Sequence, residues 1–250
     1  MAGPHRSPYR SNGWAESAQA WIADMGDAGD FGRRFVLDPP MLARVRGRGF
    51  ANVLDVGCGE GRFCRMLAAE GIATTGIDPV PALIEHARGR HGAELGTGDY
   101  RVGRAETLDF PDASFDLVVS YLSLIDIPDV AKAIAEMVRV LRPGGTLLIA
   151  NLNSFNTAGM PGGWETDFSG RVRYSIDHYL DERVDWASWR GIRIQNWHRP
   201  LSTYMTLLLE QGLALTHFAE PVPVGGDEKV VARYKRVPWF LIMEWRKAQI

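Results

Sequence analysis

The sequence predicts an α/β fold on three observations: short β-branched runs alternate with amphipathic segments, one run ends in three alternating glycines, and an apolar stripe stops at Pro143-Gly144-Gly145. The alternation starts near residue 52. Asn52 to Val56 reads as a buried strand, and the segment after it places Phe63, Met66 and Leu67 at helical spacing. Thr74 to Ile77 is a second strand, followed by Pro81 at a helix start and by Leu83, Ile84 and Ala87 on one face. Phe115 to Tyr121 is the clearest strand. Asp129 then precedes Val130, Ile134, Met137, Val138 and Leu141, and Thr146 to Asn151 returns as a strand. Such alternation implies a parallel sheet covered on both faces, because each right-handed crossover buries its helix against the sheet.

Two regions break the pattern. Residues 1–48, with Trp14, Trp21 and Phe31, read as an N-terminal helical cap, leaving 49–250 as the main domain. Residues 153–198 are rich in tryptophan and tyrosine and read as an insertion covering the sheet. Beyond it, Ser202 is expected to cap a helix carrying Met205, Leu208 and Leu209 that ends at Gly212. Leu213 to Phe218 and Trp239 to Met243 then complete the sheet, separated by the loop from Pro221 to Asp227.

At 250 residues, 46% hydrophobic and 23% charged, the composition is that of an ordinary globule, which excludes disordered, collagenous and disulfide-framework classes. Lys+Arg 28 against Asp+Glu 30 gives a net charge of -2, so no electrostatic footprint for nucleic acid exists. Two cysteines, the lack of a signal-like start and the lack of a long apolar run lead to the expectation of a cytoplasmic protein without a membrane segment.

The most informative stretch is Val53-Leu54-Asp55-Val56-Gly57-Cys58-Gly59-Glu60-Gly61. Absent β-carbons let a ligand lie against the backbone, although a plain tight turn is the alternative. Asp78 ends the second strand, where a carboxylate can accept both hydroxyls of a ribose or, alternatively, cap the next helix. The spacing is G-x-G-x-G, whereas the nicotinamide fingerprint is G-x-G-x-x-G. Asp55 adds a negative charge that suits a sulfonium or ammonium better than a pyrophosphate.

Taken together, these residues resemble the class I S-adenosylmethionine-dependent methyltransferases, in particular the small-molecule group similar to ubiquinone-biosynthesis enzymes. Leu54 to Gly61 resembles the family's first motif, and Phe115-Asp116-Leu117-Val118-Val119-Ser120 and Leu141-Arg142-Pro143-Gly144-Gly145 resemble its fourth-strand and fifth-strand segments. The resemblance implies a Rossmann-like, seven-stranded, mostly parallel sheet with helices on both faces and a last antiparallel strand. It implies S-adenosylmethionine as cofactor and S-adenosylhomocysteine as product, held by Asp55, Gly57, Cys58, Gly59, Gly61, Asp78, Pro79, Ala105, Glu106, Ser120, Tyr121 and Leu122. Two departures stand out: Arg104 replaces an acidic residue expected beside adenine, and Asp126 stands where many relatives carry histidine.

Methyl transfer from a sulfonium is an in-line displacement, so alignment and water exclusion are the main demands. A hydroxyl or ammonium acceptor also needs a base, and His198 is the first candidate, with His178 and Asp126 behind it. Trp164, Tyr179, Trp197 and Tyr204 are expected to bind the acceptor, and Arg33 and Arg34 to reach a carboxylate. His86 and His91 read as solvent-facing, Cys58 as free of chemistry, and no metal cluster is expected. The expected function is methylation of oxygen or nitrogen on a small metabolite, aromatic ones included. A non-catalytic cofactor-binding partner and a nicotinamide oxidoreductase are the alternatives.

Overall fold

The computed structural model describes residues 11–90, 98–159 and 163–249; His91 lies outside them. Five strands run parallel: β1 (Val53–Val56), β2 (Thr74–Asp78), β3 (Asp99–Val102), β4 (Phe115–Tyr121) and β5 (Leu141–Leu152). With β10 (Leu213–Ala219) and β11 (Phe240–Lys247) they make one sheet in the order β10-β11-β5-β4-β1-β2-β3, and β11 is antiparallel to both its neighbours. The Rossmann-like, seven-stranded, mostly parallel sheet is therefore present.

Side chains along β4 alternate between the faces as strand geometry demands. Val118 joins Ile134 and Met137 of α5 (Val130–Val140) and Leu208 of α7 (Leu201–Glu210) on one face. Leu117 and Val119 join Phe63 and Leu67 of α3 (Arg62–Ala69) with Leu37 and Met41 on the other. Asp129 caps α5 by accepting from the Lys132 amide at 3.0 Å, as its position implies. That helix stops at Val140, because Leu141 turns extended and pairs with Phe115.

Two expected boundaries move. Ser202 does not cap α7: it is the helix's second residue, and the hydroxyl of Tyr179 accepts from the Leu201 amide at 3.2 Å instead. The chain between the last two strands also holds a helix, α8 (Glu228–Tyr234), because Asp227 accepts from the Lys229 and Val230 amides. Among the described residues no helix is long and apolar enough to cross a membrane.

The N-terminal segment consists of α1 (Trp14–Met25), a π-helical stretch (Gly32–Leu37) and α2 (Asp38–Ala43). The inserted region supplies α6 (Ser154–Ala158) and two hairpins, β6 (Trp164–Thr166) with β7 (Val172–Tyr174), and β8 (Arg183–Trp189) with β9 (Ile192–His198). These two regions hold each other: Ser17 exchanges hydrogen bonds with the Arg193 backbone, and Ala18 and Trp21 pack on Ala187 and Ile194. Together they form a rim over the strand tips.

Beneath that rim, Arg62 donates to both oxygens of Asp38, at 3.0 and 2.5 Å, and the Tyr121 hydroxyl donates to the same carboxylate at 2.7 Å. Removing one partner of a buried ion pair strands the other charge. Asp38→Ala is expected to lower unfolding free energy by about 3–5 kcal/mol in urea titration, whereas Asp38→Asn, which keeps the shape, loses less.

Candidate active site

The three glycines after β1 all adopt left-handed φ, at 78°, 56° and 76° for Gly57, Gly59 and Gly61, and each answers a separate need. At Gly57 a β-carbon would lie 2.4 Å from the Ser123 β-carbon, so two strand ends can approach. Gly61 fits against Tyr100 and Ala87, which seats α3. Beside Gly59 only the Trp21 indole nitrogen comes within 4 Å, at 3.9 Å, and its amide donates to Asp78 Oδ2 at 3.1 Å. Asp78 Oδ1 accepts from the Val80 amide at 2.9 Å, so the carboxylate ties the loop to the start of α4 (Pro81–Arg90).

The loop and Asp78 open into a cleft of about 890 Å³ over the tips of the parallel strands. One end is walled by Asp55, Gly57 to Glu60, Asp78 to Val80 and Gly103 to Glu106. Another part of the lining is aromatic, with Trp164 against Tyr174 and Tyr234 against Trp239, while Trp189 packs on Trp21 beside α1. Tyr121 and Leu122 lie on the wall between. Leu122 holds a φ of 58°, unfavourable for a residue with a branched side chain, and its amide donates to the Ala150 carbonyl at 2.8 Å. Ser120 is beneath the floor, bonded to Ser123 at 2.7 Å, and Gly61 is likewise outside the lining.

Negative charge concentrates at the glycine end. Burial pushes the Asp55 carboxyl up to about 7 and Asp78 up to about 6. The Cys64 thiol donates to Asp55 Oδ2 at 3.4 Å, while Oδ1 is buried without a partner. An unpaired acceptor beside a carboxylate cluster fits a ligand that brings a cationic centre. Arg104, the departure noted in the sequence, bonds Glu106 at 3.0 Å and lines the cleft with it.

His198 does not reach this cleft. It is buried at the end of β9, where Nε2 faces the Tyr179 carbonyl at 2.9 Å and must donate, leaving Nδ1 to accept from Thr157 at 2.7 Å. Burial also lowers its affinity for a proton. The expectation of a base at His198 is thus corrected: both nitrogens are spent holding the insertion. Among the four expected acceptor residues only Trp164 lines the cleft. Tyr204 is in the core, Tyr179 packs on Phe155 and His198 and supports Leu201, and Trp197 carries the Arg199 guanidinium over its ring at 4.7 Å. His178 is exposed and pairs with Asp181. His86 is half-buried on α4.

Asp126 does line the cleft, at the end of a short 3₁₀ turn (Leu124–Asp126) after β4. Asn196 donates to its Oδ1 at 2.7 Å, the Trp14 indole bonds it too, and burial pushes its carboxyl up to about 8. Arg33 also lines the cleft, stacked 4.8 Å over Trp21 and paired with Asp30 at 2.7 Å, whereas Arg34 turns to Phe35. Sequence reasoning did not find the Trp21 to Glu60 hydrogen bond, at 2.9 Å, nor Arg233. Glu60 sits inside the glycine motif and was open to notice; nothing local marks Arg233.

Residues 54–149 match a family described as Methyltransferase domain. Malonyl-[acyl-carrier protein] O-methyltransferase of Serratia marcescens is 32% identical over 55% of the chain and 54% of its own length. Ubiquinone biosynthesis O-methyltransferase of Xylella fastidiosa is 42% identical over 41% of the chain and 42% of its own. The chain thus spans about half the length of the curated relatives it matches. An S-adenosylmethionine-dependent methyltransferase of Mesorhizobium loti, known by crystal structure, superposes with a TM-score of 0.73 at 28% identity, over 84% of this chain and 96% of that one. The match sets aside the nicotinamide alternative and covers β1 to β5 with the glycine loop and Asp78. Residues 54–149 are thus a methyltransferase domain, on a fold shared with the S-adenosylmethionine-dependent methyltransferase of known structure.

Proposed function

We propose that the protein transfers a methyl group from S-adenosylmethionine to an oxygen of a small acceptor, aromatic ones included. One observation carries the reading: Asp78 is fixed by the Gly59 amide in the wall of a cleft whose far end is aromatic. The relatives named above as O-methyltransferases support oxygen as the target atom. A non-catalytic binding role has no supporting feature, since the cleft continues well beyond the glycine end.

The cofactor, when bound, supplies a methyl on a sulfonium centre and a neutral thioether as leaving group. Asp78 would accept the ribose hydroxyls with the lone pairs its backbone bonds leave free. Asp55 Oδ1 would face the cationic part of the donor and regain a partner. Glu60 keeps Trp21 over the loop, so water is displaced from that flank. Asp126, oriented by Asn196, takes the proton of a hydroxyl acceptor as its oxygen forms the new bond to carbon. A carboxylate acceptor needs no such base.

Asp78→Ala is expected to weaken S-adenosylhomocysteine binding by about 10- to 100-fold in calorimetry, the scale of charge-assisted hydrogen bonds. Wild-type affinity should fall as pH drops below about 6, where Asp78 gains a proton, and Asp78→Asn should flatten that dependence. Absence of binding by the wild type removes the reading. With phenolic acceptors, the rate of S-adenosylhomocysteine release should rise with pH toward a plateau above about 8, because a base works deprotonated. Asp126→Asn should cut that rate by about 10²–10⁴-fold while leaving product affinity unchanged; equal rates would clear Asp126 of the role.

A further inference from the structure

At the aromatic end, two guanidinium groups lie over one indole ring. The Arg233 and Arg236 guanidinium carbons are 5.1 and 4.8 Å from the Trp164 ring centre, and Arg233 is also 5.8 Å from that of Trp239. Among the described residues neither arginine forms an ion pair; Arg236 donates to the Val172 carbonyl at 2.6 Å. The acidic groups of that wall are engaged elsewhere. Asp30 pairs with Arg33, Glu165 accepts from Ser175 at 2.9 Å, and Asp167 accepts from Ser169 and from the Arg171 amide. The indole nitrogens of Trp164 and Trp239 are buried and lack an acceptor as well.

The groups left at this end without an acidic or accepting partner, the Arg233 guanidinium and the two indole N–H groups, are therefore all donors. The π-faces attract each cation but do not neutralise the repulsion between two of them. A carboxylate removes that imbalance, and guanidinium recognises it with paired hydrogen bonds. Tyr174, Tyr234 and Trp239, in the same lining, supply flat apolar walls for the body that carries it.

We infer that Arg233, supported by Arg236, is the carboxylate subsite of the acceptor, so that the substrate class is small aromatic acids. The assignment rests on the preceding reading of the cleft as a methyl-transfer site. Arg33 is unsuited to the task, because Asp30 already neutralises it at 2.7 Å.

The test is calorimetric titration of two probes of equal shape, benzoate and benzamide, into the protein saturated with S-adenosylhomocysteine. Benzoate should bind about tenfold more tightly, the scale of one charge-assisted contact. Arg233→Gln should erase the difference and leave S-adenosylhomocysteine affinity unchanged, since Arg233 lies away from the glycine end. Equal binding of the two probes by the wild type overturns the inference, and so does a preference that survives Arg233→Gln. The same titrations without S-adenosylhomocysteine separate the two readings. A benzoate preference that depends on Arg233, in protein that does not bind S-adenosylhomocysteine, keeps the subsite and removes only the methyl-donor assignment.

Discussion

Asp38 and Arg62 meet under the cleft floor, nearly free of solvent, with the Tyr121 hydroxyl on the same carboxylate. Three stretches of chain that are remote in sequence converge there: the start of α2, the first turn of α3 beyond the glycine loop, and the last residue of β4. Arg62 reaches further, donating to the Ala28 carbonyl at 2.7 Å and so fixing the turn between α1 and the π-helical stretch. Such a pair adds little net stability over an apolar contact of the same shape, because both charges lose their hydration. Its effect is geometric. The rim can sit in one place only, and Trp21, Asp30 and Arg33 inherit their positions from it.

The cleft divides along the boundary of the shared domain. The walls of the glycine end, from Asp55 to Glu106, all come from within residues 54–149. Trp14, Trp21, Arg33, Trp164, Trp186, Asn196 and Arg233 all come from outside it. Carboxylates dominate the first group and aromatic rings with arginines the second, so the two halves differ in field as well as in origin. The side chains of the second half can diverge while the strand tips and the bare backbone beneath the donor stay fixed.

The sheet and the glycine end were legible because their signals are local. A strand with both faces covered must read as an apolar run, a left-handed turn must use glycine, and a carboxylate at a strand tip has few neighbours to choose from. The aromatic end was legible only as composition. Trp197 is adjacent to Asn196, which does line the cleft, yet which of the two turns inward depends on the register of the β8–β9 hairpin, while Tyr204 sits in the core on α7. His198 illustrates the same limit. Asn196, two residues earlier on the same buried face of β9, holds Asp126, whereas His198 at the end of the strand meets Tyr179 and Thr157, and the sequence does not say where along that face the cleft stops. Leu122 was expected in the site, but its left-handed backbone left no trace in the sequence, because it is imposed by the Ala150 carbonyl and by the packing of Ser123 against Gly57.

The placement of β11 bears on how the chain reaches this structure. Of the seven strands it is made last, yet it lies inside the sheet, with β5 on one side and β10 on the other. β10 has no other strand to pair with, and the outer edge of β5 stays bare until residues 240–247 arrive. During synthesis the first five strands can therefore assemble into an open half-sheet that waits, with apolar Leu148 and Ile149 on an unfinished edge, for the final hairpin to slot in. The late closure makes that edge the place where a nascent or heat-loosened molecule is most open to pairing with a neighbour.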